Sequence, residues 1–159
     1  MIEPANIGVV PTDVLLSYDG LGFLKALIAG ELPSPPITET LGFSLVEAEP
    51  GRAVFRGTPA FRHYNPIGTV HAGFAATLLD SAVACAVQTT LAKGETYTTL
   101  ELKLNLVRPL TADTGPVDAE GRVIHRGRTT ATAEGHLKDQ SGRLHAHATT
   151  TCLIIPAKE

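Results

Sequence analysis

The sequence predicts an α+β fold in which an antiparallel sheet wraps around one long central helix, with a helical extension at the N-terminus. Three observations predict it. Only one long stretch of the body, between His71 and Lys93, repeats its apolar residues at helical spacing. The segments on either side alternate large apolar residues with polar or small ones, the period of a strand. The first 36 residues carry a short helical pattern of their own and close on a Pro-rich run.

In the extension, Asp19 is placed to cap a short helix whose apolar face is Leu21, Leu24, Leu27 and Ile28, and Gly30 suits the position just past its end. Pro33, Pro35 and Pro36 then predict a stiff, extended linker. The boundary falls at residues 1–36 for the extension and 37–159 for the main domain. An apolar helical stripe must cover something, here the main domain or a neighbouring subunit.

From Thr40 the pattern becomes two-residue, with Leu41, Phe43 and Leu45 alternating with Gly42, Ser44 and Val46, and Pro50-Gly51 marks a turn. A second strand covers Arg52 to Thr58, and a loop runs from Pro59 to Val70. The helical stretch that follows contains seven alanines, one acid (Asp80) and no base before Lys93, with Phe74, Leu78, Ala82, Cys85 and Thr89 spaced by three and four. A helix so apolar is expected to be enclosed on nearly every side. Beyond it, Leu100, Leu102, Leu104 and Leu106 are expected on one strand face and Thr99, Glu101, Lys103 and Asn105 on the other, up to Arg108-Pro109. Strands at Val117 to Arg126, Thr129 to Lys138 and Arg143 to Ile155 complete the sheet, the last two joined at Asp139-Gln140-Ser141-Gly142. Thr and Ala dominate these strands, and small side chains let another element pack closely.

Composition narrows the functional classes. The 159 residues suit one domain, and 13 Lys+Arg against 16 Asp+Glu lack the electrostatic footprint of a nucleic-acid binder. Two cysteines, Cys85 and Cys152, are too few for a disulfide scaffold and read as small buried hydrophobes. No signal peptide and no membrane-length apolar run is evident, so a cytoplasmic protein without a membrane partner is expected. Phosphate loops, dinucleotide fingerprints and the Gly-x-Ser-x-Gly elbow are missing. His145-x-His147, His125 and His136 raise the question of a metal, but no second set of ligands stands at suitable spacing, so neither metal nor cofactor is expected.

The chemistry concentrates in Asn65-Pro66-Ile67-Gly68-Thr69-Val70-His71-Ala72-Gly73, followed by Asp80 nine residues after His71. A loop opening into a helix presents unpaired N–H groups and the positive end of the helix dipole. Ala72 and Gly73 barely obstruct an incoming oxygen, so this terminus can polarise a carbonyl and hold the oxyanion formed on attack. Asp80 sits two turns deeper among alanines, where a carboxylate is costly unless it is bonded or functional.

With these residues the chain resembles the hot-dog-fold thioesterases, in the PaaI-like branch of acyl-CoA thioesterases. The likeness rests on Asn65, Pro66, Gly68, His71, Gly73 and Asp80, and on a strand that runs from Thr99 to Arg108-Pro109. It covers roughly residues 37 to 156. Ala72 departs from it, standing where Gly is usual. The resemblance implies that Asp80 is the nucleophile or the general base toward water. It implies that Asn65 orients water or the acyl carbonyl, and that Thr99, or its neighbour Thr98, holds Asp80. His71 is expected to organise the helix start rather than transfer protons.

Ala72 and Asp80 lie eight residues apart, about 12 Å along a helix, whereas an attacking group and an oxyanion donor must meet at one carbonyl. Two antiparallel copies satisfy both demands, which predicts a site at a two-fold interface, and the resemblance implies a homo-oligomer, a dimer or a dimer of dimers. With an acyl-CoA as partner, Arg126, Gly127 and Arg128, together with Arg108, become the expected contacts of the CoA phosphates. The expected activity is hydrolysis of an aryl- or medium-chain acyl-CoA. Two alternatives remain open at this point: a non-catalytic acyl-CoA binder, and a hydratase or dehydratase of the same fold.

Overall fold

The computed structural model describes residues 6–157. Its sheet has six strands: β1 (Phe43–Glu49), β2 (Arg52–Gly57), β3 (Glu95–Leu106), β4 (Val117–Arg126), β5 (Thr130–Asp139) and β6 (Leu144–Pro156). They are ordered β1-β2-β4-β5-β6-β3, and every neighbouring pair is antiparallel. The short helices α1 (Thr12–Ser17), α2 (Gly20–Ile28) and α3 (Pro36–Leu41) precede the sheet, and the long helix α4 (Ala72–Gln88) packs against it.

The small residues of the strands serve α4. Ala119, Ala146 and Ala148 pack with Leu78, Leu79 and Ala82, and Ala133 packs with Val83 and Val87, all of them buried. At Gly121 a Cβ would stand 2.2 Å from the Ala82 carbonyl oxygen, so helix backbone lies directly on sheet backbone there. Such contact excludes water and stiffens the helix.

Four expectations change. α4 ends at Gln88 rather than Lys93, because the Thr89 and Thr90 hydroxyls bond back to the Ala86 and Val87 carbonyls and close the last turn. Its enclosure is also incomplete: ten of its 17 residues are buried, while Gly73, Ala76, Thr77, Asp80 and Ser81 form a half-covered strip. The proline run does not stay extended, since Pro36 opens α3, where a missing N–H costs nothing.

The fourth change concerns β3. Thr99 pairs with Cys152 and Glu101 with Thr151, the next rung, so Leu100 has no rung of its own. This bulge breaks the alternation. Leu100 is 55% exposed, while Leu102 and Leu104 pack on the core. Leu106, at 52%, is also outside. The four leucines do not share a face, and the bulge lets Thr99 and Leu102 both turn toward α4.

The extension docks on the sheet and on the end of α4. Asp19 caps α2 by accepting the Gly22 N–H at 2.6 Å, and Gly30 follows its end with φ +75°. Leu24 and Ala26 are buried, whereas Ile28 is exposed. Gly20 donates its N–H to the Leu91 carbonyl at 3.0 Å, and a Cβ on it would stand 1.7 Å from the Gln88 carbonyl oxygen.

Candidate active site

The loop before α4 is organised by two side chains. Asn65 accepts the N–H groups of Ile67 (3.0 Å) and Thr69 (3.2 Å) on Oδ1 and donates Nδ2 to the Thr69 hydroxyl at 2.9 Å. One side chain thus closes the turn through Gly68, whose φ of +88° suits glycine. His63 is the second, and it drew no attention in the sequence. Its ring is buried, stacks on Phe74 with centroids 4.6 Å apart and accepts the Ala60 N–H, while its carbonyl takes the His71 N–H at 2.7 Å. Burial, with the nearby Arg62 cation, holds the His63 ring below the ordinary histidine range, so it stays neutral. A lone histidine in a loop gave no periodic or spacing signal that could mark it.

His71 caps α4, its Nδ1 accepting the Gly73 N–H at 2.9 Å. The Phe74 N–H bonds to the His71 carbonyl. The Ala72 N–H has no acceptor among the described residues. The positive end of α4 therefore offers one free donor from Ala72, and the Gly73 N–H is already engaged. Ala72, His71, Asn65 and Arg108 line one cavity of about 340 Å³.

Asp80 lies elsewhere. It is half-buried in the open strip of α4, and the Thr99 hydroxyl donates to its Oδ1 at 3.4 Å. Burial pushes its carboxyl above the usual carboxylate range, and the Thr99 hydroxyl offsets part of that shift. A carboxylate so placed is more basic than one in water. Thr98 points outward and is exposed. Cys85 neighbours the Tyr97 side chain, and burial pushes its thiol up to about 12, so it is neutral and inert. Cys152 is fully buried opposite Thr99.

The structure thus presents two clusters on one helix. Asn65, His71, Ala72 and Arg108 gather at its start, and Asp80 with Thr99 two turns further along. The remaining candidates divide. Arg126 is committed internally: it pairs with Glu95 at 3.0 Å and donates to the carbonyl of Gly127, while its buried Nε has no partner. Gly127 closes the turn between β4 and β5 by bonding Thr130. Arg108 and Arg128 are exposed and form no ion pair among the described residues.

His145 belongs to a buried network that the sequence did not reveal. Its Nδ1 stands 3.2 Å from the Pro109 carbonyl oxygen and its Nε2 3.2 Å from Asp139, and its own carbonyl accepts the Val107 and Arg108 N–H groups. Asp139, buried, also accepts from Ser141 and Arg143, and these bonds hold its carboxyl well below the usual carboxylate range. The network fixes the segment that carries Arg108. Among the described residues no three His, Cys, Asp or Glu side chains gather as a metal would need, and no helix is long and apolar enough to cross a membrane.

Comparison with known proteins decides the family. Residues 67–146 match the family model described as the thioesterase superfamily, half of the chain. The chain belongs to the thioesterase superfamily. This thioesterase is 27% identical over 108 residues to the 1,4-dihydroxy-2-naphthoyl-CoA hydrolase of Listeria monocytogenes, 68% of this chain and 86% of that protein. Its fold is shared by a phenylacetic acid degradation-related protein of Ralstonia eutropha, with TM-score 0.74 and 32% identity over 82% of this chain and 98% of that one. A variant of the phenylacetic acid degradation protein PaaI of Thermus thermophilus matches with TM-score 0.67 and 34% identity, covering 74% of this chain and 97% of the other. The sheet with α4 laid across it is therefore the hot-dog fold, of the PaaI-like kind, and the family is one of thioester hydrolases.

Proposed function

We propose that this thioesterase hydrolyses acyl-CoA thioesters, taking an aryl- or medium-chain acyl-CoA and water to the free acid and CoA at a site shared by two copies of the chain. One observation carries the reading: Asp80, half-buried and bonded to Thr99, rides on the same helix whose start leaves the Ala72 N–H free beside Asn65. An acid and an oxyanion donor are the two groups that thioester cleavage needs. They are about 12 Å apart along α4, too far to act on one carbonyl, so each Asp80 works with the Ala72 of a second copy. Among the described residues the outer edge of β3 pairs with no strand, and Leu100 and Leu106 on β3, with Val107 just after it, are exposed, a surface suited to such pairing.

In this scheme the carbonyl oxygen of the thioester points at the Ala72 N–H, which takes up the negative charge as the carbon is attacked. Asp80 takes the proton from the attacking water, or attacks the carbon itself to give a mixed anhydride that water then opens to the free acid and the Asp80 carboxylate; in either route the C–S bond breaks and the CoA thiolate leaves and is protonated. Asn65 holds the loop that aims the Ala72 N–H. Arg108 and Arg128 are the free cations for the CoA phosphates, and Arg126 with Gly127 shapes the turn that carries Arg128. The 27% identity to a protein named as an aryl-CoA hydrolase supports acyl-CoA as substrate.

Release of CoA thiol from a panel of aromatic and straight-chain acyl-CoAs tests the proposal. Turnover that Asp80→Asn abolishes supports it; full turnover by that variant would sink it. In single turnover in ¹⁸O-water, label found in the Asp80 carboxylate marks the nucleophilic route, with water opening the anhydride at the Asp80 carbon.

A further inference from the structure

A cavity of about 690 Å³ lies between the N-terminal extension and the far half of α4. Its apolar wall comes from Leu15 of α1 and from Phe23, Leu24 and Leu27 of α2, completed by Leu45 and Phe55 of the sheet. Those helices precede residues 67–146, the stretch that matches the thioesterase family.

The register between α4 and β3 says where the cavity starts. The Thr99 hydroxyl reaches Asp80, and the Tyr97 side chain reaches Cys85. Two residues of strand, about 7 Å, match five residues of helix, about 7.5 Å, so the two elements pass in opposite directions. Tyr97 and Cys85 line the cavity near Asp80, and Gln88 and Thr96 line it farther on. Gln88 lies eight residues beyond Asp80, about 12 Å along the helix.

Gln88 is the second, independent observation. Only 8% of it is exposed, and its carbonyl oxygen receives a single weak contact, from the Cys85 thiol at 4.0 Å. Its amide nitrogen has no acceptor among the described residues. Gln88 lines the chamber together with Asp19, Glu95 and Thr96, and an amide nitrogen free of protein acceptors there can donate to an oxygen of a bound molecule.

We infer that this chamber receives the acyl group of the thioester cleaved at Asp80, and that its occupant is an extended apolar chain with an oxygen function at its distal end, held by the Gln88 amide. The inference rests on the hydrolytic reading above and extends it to substrate class. The length from Asp80 to Gln88 suits a medium-chain acyl group, and the extension becomes the specificity element of the enzyme.

The test compares butyryl-, decanoyl- and ω-hydroxydecanoyl-CoA as substrates, with decanoic and ω-hydroxydecanoic acids as ligands. The wild-type enzyme is expected to favour the ω-hydroxy ester over the plain one by about tenfold in kcat/KM, the worth of one hydrogen bond, and Gln88→Leu to erase that preference. Leu27→Trp and, on a separate helix, Leu15→Trp are expected to lower the decanoyl-to-butyryl ratio of kcat/KM at least about tenfold by filling the chamber. Titration calorimetry on the wild type and on Gln88→Leu reads binding of the acids. If no acyl-CoA is cleaved but ω-hydroxydecanoic acid binds, with Gln88→Leu weakening it, the hydrolytic reading fails and the chamber stands. A decanoyl-to-butyryl ratio that neither Trp variant alters, or acids that bind wild type and Gln88→Leu alike, overturns the inference.

Discussion

The Nδ1 atom of His71 accepts the N–H of Gly73 at 2.9 Å, so the residue at the head of α4 binds the helix rather than the solvent. Removal by His71→Ala is expected to cost about 1 kcal/mol of stability, as for other N-cap losses. Activity is expected to fall with it, because the loop and the Ala72 N–H lose their anchor. His71→Asn, which keeps a capping acceptor, is expected to recover most of both. Thermal melts and pH–rate profiles on the pair check this. A folded His71→Asn enzyme that loses one limb of its pH profile instead marks His71 as a proton carrier.

Asp80 couples activity to stability with opposite signs. Its carboxyl titrates above the unfolded value, so the native state binds more protons than the unfolded state between the two values, and stability falls as pH rises through that window. Asp80→Asn removes the ionisation. It is expected to cut kcat by about 10²–10⁴-fold while raising Tm at pH 8 by a few degrees at most. Thr99→Val removes the hydroxyl that favours the carboxylate, and is expected to move the acid limb of the rate profile to higher pH. Thr99→Ser is expected to leave it in place.

Asp139 behaves in the opposite way. Its carboxyl titrates below the unfolded value of about 3.9, so it stabilises the fold above that pH and the contribution is lost as pH falls through the native value. Asp139→Asn keeps the shape and discards the charge that faces Arg143 and His145. Urea titrations from pH 3 to 7 are expected to show a shallower pH dependence in the variant. Its KM for acyl-CoA is also expected to rise, because the Val107–Pro109 segment carrying Arg108 loses its brace.

Gly20→Ala tests how the extension is held. A methyl 1.7 Å from the Gln88 carbonyl oxygen cannot be accommodated without separating α2 from α4. Hydrogen exchange is expected to accelerate across residues 7–34, with the central sheet protected as before. Equal loss of protection throughout would show instead that extension and sheet unfold as one.

Much of the fold was readable because it rests on periodicity. The alternating strands, the alanine-rich helix and the caps at Asp19 and Gly30 each follow from local rules, and the motif from Asn65 to Asp80 pointed to both clusters. What stayed hidden depends on contacts distant in sequence. His63 is defined by its stacking on Phe74, His145 by a carboxylate and a carbonyl on separate segments, and Arg126 by Glu95, 31 residues away. Each was visible only as a residue type. Of Arg126 and Arg128, neighbours in sequence, the first is a half-buried brace and the second an exposed cation in space.

The bulge in β3 shows how this sheet counts. The strand is read in rungs rather than residues, and Leu100 is the one residue between Thr99 and Glu101 without a rung. Deleting Leu100 leaves Thr99 and Leu102 in phase, and the strand reads through in a single frame. Deleting Lys103 instead shifts the frame behind it and brings Asn105 to the core face where Leu104 now packs. Tolerance to deletion along this strand is therefore set by phase and not by chemistry, and its most hydrophobic-looking position is the one it can spare.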